Sequence, residues 1–283
     1  MGNNVDSKIV RLVEQALFED VGFGDVTSES TIPDSQQSRA TFLCKETGVL
    51  SGIEIAQLVF RLVDERITMK PLLADTSLIR TGVTIAEIEG PTRGILLGER
   101  VALNFLQRMS GIASLTHMFV HAVAGTGAKI TDTRKTVPGL RVLEKKAVRD
   151  GGGVNHRFGL DQMVLIKDNH VAAAGGITPA IEQCKRYLSA HSIAVPIEVE
   201  TDSIDQVREA LACGGIDRIM LDNYPLDVMR EAVALIDHRV EVEASGGITM
   251  QTVRGVAETG VDFISVGALT HSPKALDISL DTK

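Results

Sequence analysis

The chain has no tryptophan and only two tyrosines in 283 residues. Few rings are therefore available to stack on bases, and a formal net charge of −8 further disfavours nucleic acid as the main partner. Cysteine is scarce as well. Cys44, Cys184 and Cys213 stand far apart and form no CxxC or His/Cys metal pattern. They read as reduced thiols of a cytoplasmic protein. No apolar run approaches the roughly 20 residues that span a bilayer. Met1 to Asp20 reads as a charged, amphipathic segment and not as a signal peptide. Internal repeats, low-complexity tracts and a Pro/Ser-rich linker are all missing.

What is present is a core-forming composition, 44% hydrophobic and 23% charged, in a length that suits one large domain or two ordinary ones. Against the acidic background stands a basic island. Between Arg134 and His170 lie eight Lys or Arg (Arg134, Lys135, Arg141, Lys145, Lys146, Arg149, Arg157, Lys167) and four acids (Glu144, Asp150, Asp161, Asp168). That is a local +4, so the rest of the chain carries −12. Positive charge gathered this tightly points to a small, highly charged anion. Gly151 to Gly153, beside Asn155, His156 and Arg157, adds flexible backbone near hydrogen-bond donors. Lys145, Lys146 and Arg149 read as the solvated face of a helix. Arg134, Lys135, Arg157 and Lys167 each border an apolar run and read as site residues.

Residues 178 to 277 alternate short apolar runs with helical segments. The strand runs there are Val195–Val199, Ile216–Leu221, Val240–Ala244 and Val261–Val266, and upstream of them lie Lys129–Thr131 and Met163–Ile166. Helices are expected around Val142–Asp150, from Thr178-Pro179, from Ser203 to Gly214, from Pro225 to Ile236, and from a Thr249 cap to Gly260. This beat gives parallel βα units. A barrel and an open doubly wound sheet both satisfy it. The strand ends favour the barrel: each is followed by polar or glycine residues, and only a barrel brings six such ends to one mouth.

The first ~110 residues differ. Ile9, Leu12, Val13, Ala16 and Leu17 share one helix face, and GFGDVTSES reads as a loop. Strands follow at Ala40–Cys44, Ile67–Leu72 and Val83–Ile88, with helices at Ile53–Val63 and Glu99–Met109. This is an antiparallel sheet with helices on one face. The boundary falls near Gly111, giving domains 1–111 and 112–272, with the tail 273–283 packing back on the first.

At the mouth, the turn Ser245-Gly246-Gly247-Ile248 before Thr249, together with Gly267, offers backbone N–H groups to a phosphate. Glu200 and Asp222 end neighbouring strands. Carboxylates without Cys or His suit Mg²⁺ or ribose hydroxyls. The plain alternative is that they only pair with Lys135 or Lys167.

TRKTVPGLR (133–141), GGGVNHRFGL (151–160), LIKDNH (165–170), IEVE (197–200), IMLDN (219–223), EASGGI and SVGALTHS (265–272) resemble the quinolinate phosphoribosyltransferase family. So does GERVALNFLQRMSGIA (98–113), and the likeness covers essentially the whole chain. It implies an N-terminal α/β sandwich followed by an incomplete, six-stranded α/β barrel. It also implies transfer of phosphoribosyl from phosphoribosyl pyrophosphate to quinolinate with loss of CO₂, and Mg²⁺ as cofactor. The unit would be a homodimer, or a hexamer built from it, with each mouth closed by the partner. By motif position, Arg100 from the neighbouring subunit would join Arg134, His156 and Arg157 around the quinolinate carboxylates. Lys135 and Lys167 would face phosphate and carboxylate charge. Glu200 and Asp222 would hold ribose hydroxyls and metal-linked waters. Ser245, Gly246, Gly247, Gly267 and His271 would seat the 5′-phosphate. A paralogous group associated with molybdenum transport shares the TRKT-type and HR-type blocks, but departs in segments this chain keeps. Two other readings compete: a Schiff-base aldolase using Lys167, which Asp168 and nearby cations disfavour, and an RNA-binding module using the basic island. His117, His121 and His170 read as packing or hydrogen-bonding residues.

Overall fold

The computed structural model describes residues 6–282. Residues 1–5 of the amphipathic segment and residue 283 of the tail lie outside them. In chain order the first elements are α1 (Ser7–Val21), α2 (Val26–Thr31), β1 (Gln37–Cys44), β2 (Gly48–Val49), α3 (Ile53–Val63), β3 (Thr68–Pro71), β4 (Leu78–Ile79), β5 (Thr84–Pro91) and α4 (Thr92–Ala122). Then come β6 (Lys129–Thr131), α5 (Arg141–Asp150), β7 (Val164–Ile166), α6 (Asp168–Ala174), α7 (Ile177–Ala190), β8 (Ile197–Thr201) and α8 (Ile204–Cys213). The chain continues through β9 (Arg218–Asp222), α9 (Leu226–Ile236), β10 (Glu241–Ser245), α10 (Val253–Ala257), β11 (Phe263–Ser265), α11 (Ala268–His271) and β12 (Ile278–Thr282). Two compact units result: one of Met1–His117, Thr136–Gly152 and Leu269–Lys283, the other of Met118–Lys135 and Gly153–Ala268.

The first unit is built on an antiparallel sheet of order β12-β1-β5-β3. β1 alternates as a half-buried strand must, with Ala40, Phe42 and Cys44 inward. Phe42 meets Phe60 of α3 edge-on, ring centroids 6.1 Å apart, the arrangement aromatic quadrupoles prefer. β12 returns from the far end of the sequence to pair with β1, Ile278 opposite Cys44 and Thr282 opposite Ala40.

Three expectations are corrected here. GFGDVTSES is not all loop: the Asp25 carboxylate accepts the Ser28 N–H and caps α2. The helix read at Glu99–Met109 is the middle of the 31-residue α4. Gly111 lies within that helix, at a point where a Cβ would stand 2.1 Å from the Lys274 carbonyl oxygen. The face of α5 read as solvated is exposed at Arg149 but not at Lys145 or Lys146. Lys145 is 2% exposed, and Lys146 Nζ bonds Asp75 Oδ2 at 2.6 Å and Asp150 Oδ2 at 2.7 Å. Burial disfavours the Lys146 ammonium, but the bonds to Asp150 and Asp75 outweigh it and raise its pKa. Asp75 lies 71 residues away in sequence, and this long-range partner changes the environment of the face.

The second unit holds six parallel strands in the order β6-β11-β10-β9-β8-β7. The first strand lies beside the last, so the sheet closes in chain order except between β6 and β7. That is the incomplete six-stranded barrel, and an open doubly wound sheet is excluded. Alternate residues of β6 serve opposite edges. Thr131 accepts from Val266 on the β11 side, while Ile130 and Asp132 exchange bonds with Val154 on the other. Residue 154 thus occupies the free edge at the seam.

Candidate active site

In-register partners on neighbouring strands share a face. Glu198 stands opposite Arg218, and Glu200 opposite Met220; Met220 stands opposite Glu243, and Asp222 opposite Ser245. One face is therefore charged, while Val199, Ile219, Leu221, Val242 and Ala244 make the other face apolar. Helix α8 packs on β8 and α10 on β11. Charged and polar side chains are gathered on this face and at the C-terminal strand ends.

Lys167, just past β7, bonds Glu200 Oε2 through Nζ at 2.5 Å. Its backbone N–H donates to His170 Nδ1 at 2.9 Å. Asp222 ends β9 and accepts from Asn223 Nδ2 at 2.7 Å. Arg134 and Lys135 are exposed after β6, with the Lys135 N–H held by Thr133 Oγ1 at 3.0 Å. Arg157 is anchored by Nη1 to the Met163 carbonyl at 2.9 Å. Burial first, and then the charge of Arg134, lower the Arg157 pKa. The two guanidinium groups thus repel each other.

Ser245, Gly246 and Gly247 end β10 as expected, but the helix read from Thr249 begins only at Val253 and spans five residues. Thr249 and Thr252 form a turn instead, the Thr249 N–H donating to Thr252 Oγ1 at 3.0 Å. Gly246 has φ +97°, and a Cβ there would lie 2.2 Å from Asn223 Oδ1. Asn223 is itself left-handed, φ 58°, and its N–H donates to the Ser245 carbonyl. Gly246→Ala should therefore push apart the turns after β9 and β10. We expect at least a tenfold loss of turnover with the fold retained; unchanged steady-state kinetics would remove this turn from the site. Gly267 lies two residues past the end of β11. Arg100 on α4 and His271 at the end of α11 belong to the first unit and are both exposed.

Beneath these groups lies a buried cluster that the sequence reading did not single out beyond His156. His156 Nε2 stands 3.1 Å from Glu198 Oε2 and 3.4 Å from Glu243 Oε2, with the ring 6% exposed and both carboxylates 0%. Arg218 Nη1 bonds Glu243 Oε2 at 2.8 Å, and its guanidinium lies 3.9 Å from the centre of the Phe263 ring. Asp132 holds the same segment from below, accepting the His156 N–H at 2.8 Å and Asn155 Nδ2 at 2.6 Å. Burial opposes a charged imidazole, but the hydrogen bonds and charges of Glu198 and Glu243 override it and lift its pKa to about 9. The Arg157 N–H, 2.9 Å from Nδ1, favours a neutral ring. One such bond contributes about 1 kcal/mol, against a few kcal/mol for each adjacent carboxylate charge, so the imidazolium prevails. Burial and the neighbouring Glu243 charge raise Glu198. Glu243 is the more acidic of the two: burial works against it, yet His156 and Arg218 hold it below the usual range. Ligand-type atoms of the three residues lie within 4.8 Å of one another. His156 and Arg218 already supply the positive charge that a metal would bring.

Such a parallel barrel, with acids, cations and glycine turns at its strand ends, is the scaffold of an enzyme that handles phosphorylated anions. The chain belongs to the quinolinate phosphoribosyl transferase family, matching its N-terminal domain over residues 25–110 and its C-terminal domain over residues 112–281. It is 46% identical over 284 residues to quinolinate phosphoribosyltransferase [decarboxylating] 1b of Nicotiana tabacum, covering 95% of this chain and 81% of that protein. The probable nicotinate-nucleotide pyrophosphorylase [carboxylating] of Bacillus subtilis is 45% identical over 274 residues, with 97% and 93% covered. The crystal structure of NadC from Streptococcus pyogenes superposes with a TM-score of 0.94 at 40% identity, covering 99% and 98% of the two chains.

Proposed function

We propose that this chain joins quinolinate to phosphoribosyl pyrophosphate, giving nicotinate mononucleotide, pyrophosphate and CO₂. Family membership carries the reaction. The observation that carries the site is one barrel end with Glu200 and Asp222 on adjacent strands, Lys167 after β7, and Arg134 and Lys135 after β6. Displacing pyrophosphate from ribose leaves positive charge on the sugar and negative charge on the departing group. Glu200 and Asp222 suit the first, Lys135 and Lys167 the second. The pyridine nitrogen bonds to the anomeric carbon as the C–O bond to pyrophosphate breaks. The pyridinium then accepts the electron pair released when the 2-carboxylate leaves as CO₂. Ser245, Gly246, Gly247, Gly267 and His271 are assigned to the 5′-phosphate, and Arg100, Arg134, His156 and Arg157 to the quinolinate carboxylates.

The oxygen-only donors of Glu200 and Asp222 fit Mg²⁺, which they would hold through water and which supplies charge neutralisation to pyrophosphate. Lys167, already on Glu200, competes for the same carboxylate and so leaves it an adjustable ligand. Purified protein with Mg²⁺, phosphoribosyl pyrophosphate and quinolinate should release mononucleotide and CO₂ in equal amounts. Absence of either product overturns the reading.

A homodimer, or a hexamer built from it, with mouths completed by the partner is the proposed assembly; exposed Arg100 supports it as a residue available to a second copy. Arg100→Ala and Lys167→Ala proteins, each inactive, should regain activity when mixed under subunit exchange. One mouth in each mixed dimer then has both residues. No recovery, with exchange shown separately, places Arg100 outside the partner's site. The widely separated thiols support a cytoplasmic location. No helix among the described residues is long and apolar enough to cross a membrane.

A further inference from the structure

We infer that Glu198 and Glu243 are positioning residues: together they hold His156 as a fixed cation that tethers the segment 155–157 to the barrel interior across the open seam. The geometry comes from three strands. Residue 154 hydrogen-bonds the free edge of β6, so the next residues run along the gap where β6 and β7 fail to pair. From there the His156 ring reaches carboxylates on β8 and β10, which are not neighbours in the sheet. One side chain thus links the seam edge of β6 to two strands, neither of which borders the seam.

The charges around it leave little freedom. Glu198 faces His156 from β8 and Glu243 from β10; Arg218 of β9 binds Glu243, and Ser265 of β11 lies close enough to favour the Glu243 charge. Asp132 beyond β6 takes the His156 N–H, and Arg157 and Arg134 lie on the mouth side. Glu198 and Glu243 each keep Oε1 buried and without a partner. Carboxylates left so poorly satisfied need their cations strongly. Residue 157 follows directly, so the tether also sets where the Arg157 guanidinium enters the mouth.

The consequence for substrate rests on the dicarboxylate pocket proposed above, and two readouts separate the claims. His156 in the full-length protein is followed by NMR, its resonance identified by loss in His156→Asn. It should titrate near 9, far above the ordinary 6.5. Its charge, and the stabilisation it brings, should be complete below about 6.5 and lost as pH rises through 9. In Glu243→Gln the midpoint should fall by at least about one unit, a tenfold loss of proton affinity, and by less in Glu198→Gln. Titration of the parent at or below 6.5, or no shift in Glu243→Gln, overturns the inference. The parent measurement alone decides it if the variants do not fold. In parallel, the alkaline fall of kcat/KM for quinolinate should move to lower pH in Glu243→Gln. A purely structural defect lowers activity at all pH values without moving the limb. If the NMR midpoint moves and the kinetic limb stays, the tether stands and the placement of His156 and Arg157 at quinolinate falls.

Discussion

Nicotinate should be used with a kcat/KM about two to three decades below that of quinolinate. Arg157 is driven down in pKa by burial and by Arg134, so two mutually repelling cations stand where one carboxylate would compensate only one of them. A ligand lacking the 2-carboxylate leaves one partly desolvated cation uncompensated. Such a group costs on the order of 3 to 5 kcal/mol when fully buried, and each 1.4 kcal/mol is a decade. Arg157 is only partly buried, which selects the lower end. The ring and the attacking nitrogen are the same in both acids, so the difference isolates the pocket. Phthalate, with both carboxylates and no ring nitrogen, should inhibit competitively without reacting. Equal kcat/KM values for the two pyridines would overturn the dicarboxylate pocket and the reading of the basic island with it.

Arg108→Ala should destabilise the first unit by about 3 kcal/mol. Glu144 is 1% exposed and takes two bonds from the Arg108 guanidinium, which also reaches the Thr270 carbonyl. The Val137 N–H holds the other carboxylate oxygen at 3.1 Å. Removing Arg108 strands a buried carboxylate, at a cost of roughly 3 to 5 kcal/mol. The surviving Val137 bond and the partial exposure of Arg108 again favour the lower value. Arg108→Ala with Glu144→Gln should recover much of the loss, because the pair then leaves no bare charge. Chemical denaturation of parent, single and double variants measures both effects. A loss below about 0.5 kcal/mol for the single variant refutes the assignment.

Much of the barrel was legible because its signals are local. Pro225 stands at the N-cap of α9 and Ser203 at that of α8, both where sequence punctuation puts them. The strand ends fell within two residues because each apolar run stops at a polar or glycine residue. What escaped depends on distant partners. Glu198 and Glu243 look like ordinary strand acids, yet IEVE and EVEAS place acids two residues apart, hence on one face, in strands whose other face is apolar. That repeated spacing was the available sign of a charged barrel interior. Lys145 and Lys146 obeyed the helical period but met burial and acids contributed by distant sequence. β12 resembles a polar tail, since ISLDT gains strand character only beside β1. Asp25 carried a cap signal for α2, hidden by the glycines before it.

The pairing of β12 with β1 has a consequence for how the polypeptide matures. The two strands are separated by more than two hundred residues, the whole barrel sequence lying between Cys44 and Ile278. During synthesis β1 must wait, pairing with β5 on one side and leaving its other edge bare until the final strand leaves the ribosome. Contacts this distant in sequence form slowly, and a bare edge invites pairing with other chains. The barrel strands from β7 to β11, each close in sequence to the next, can assemble meanwhile. The sheet begun first is thus completed last, and the interval before its closure is when the nascent chain is most exposed to aggregation.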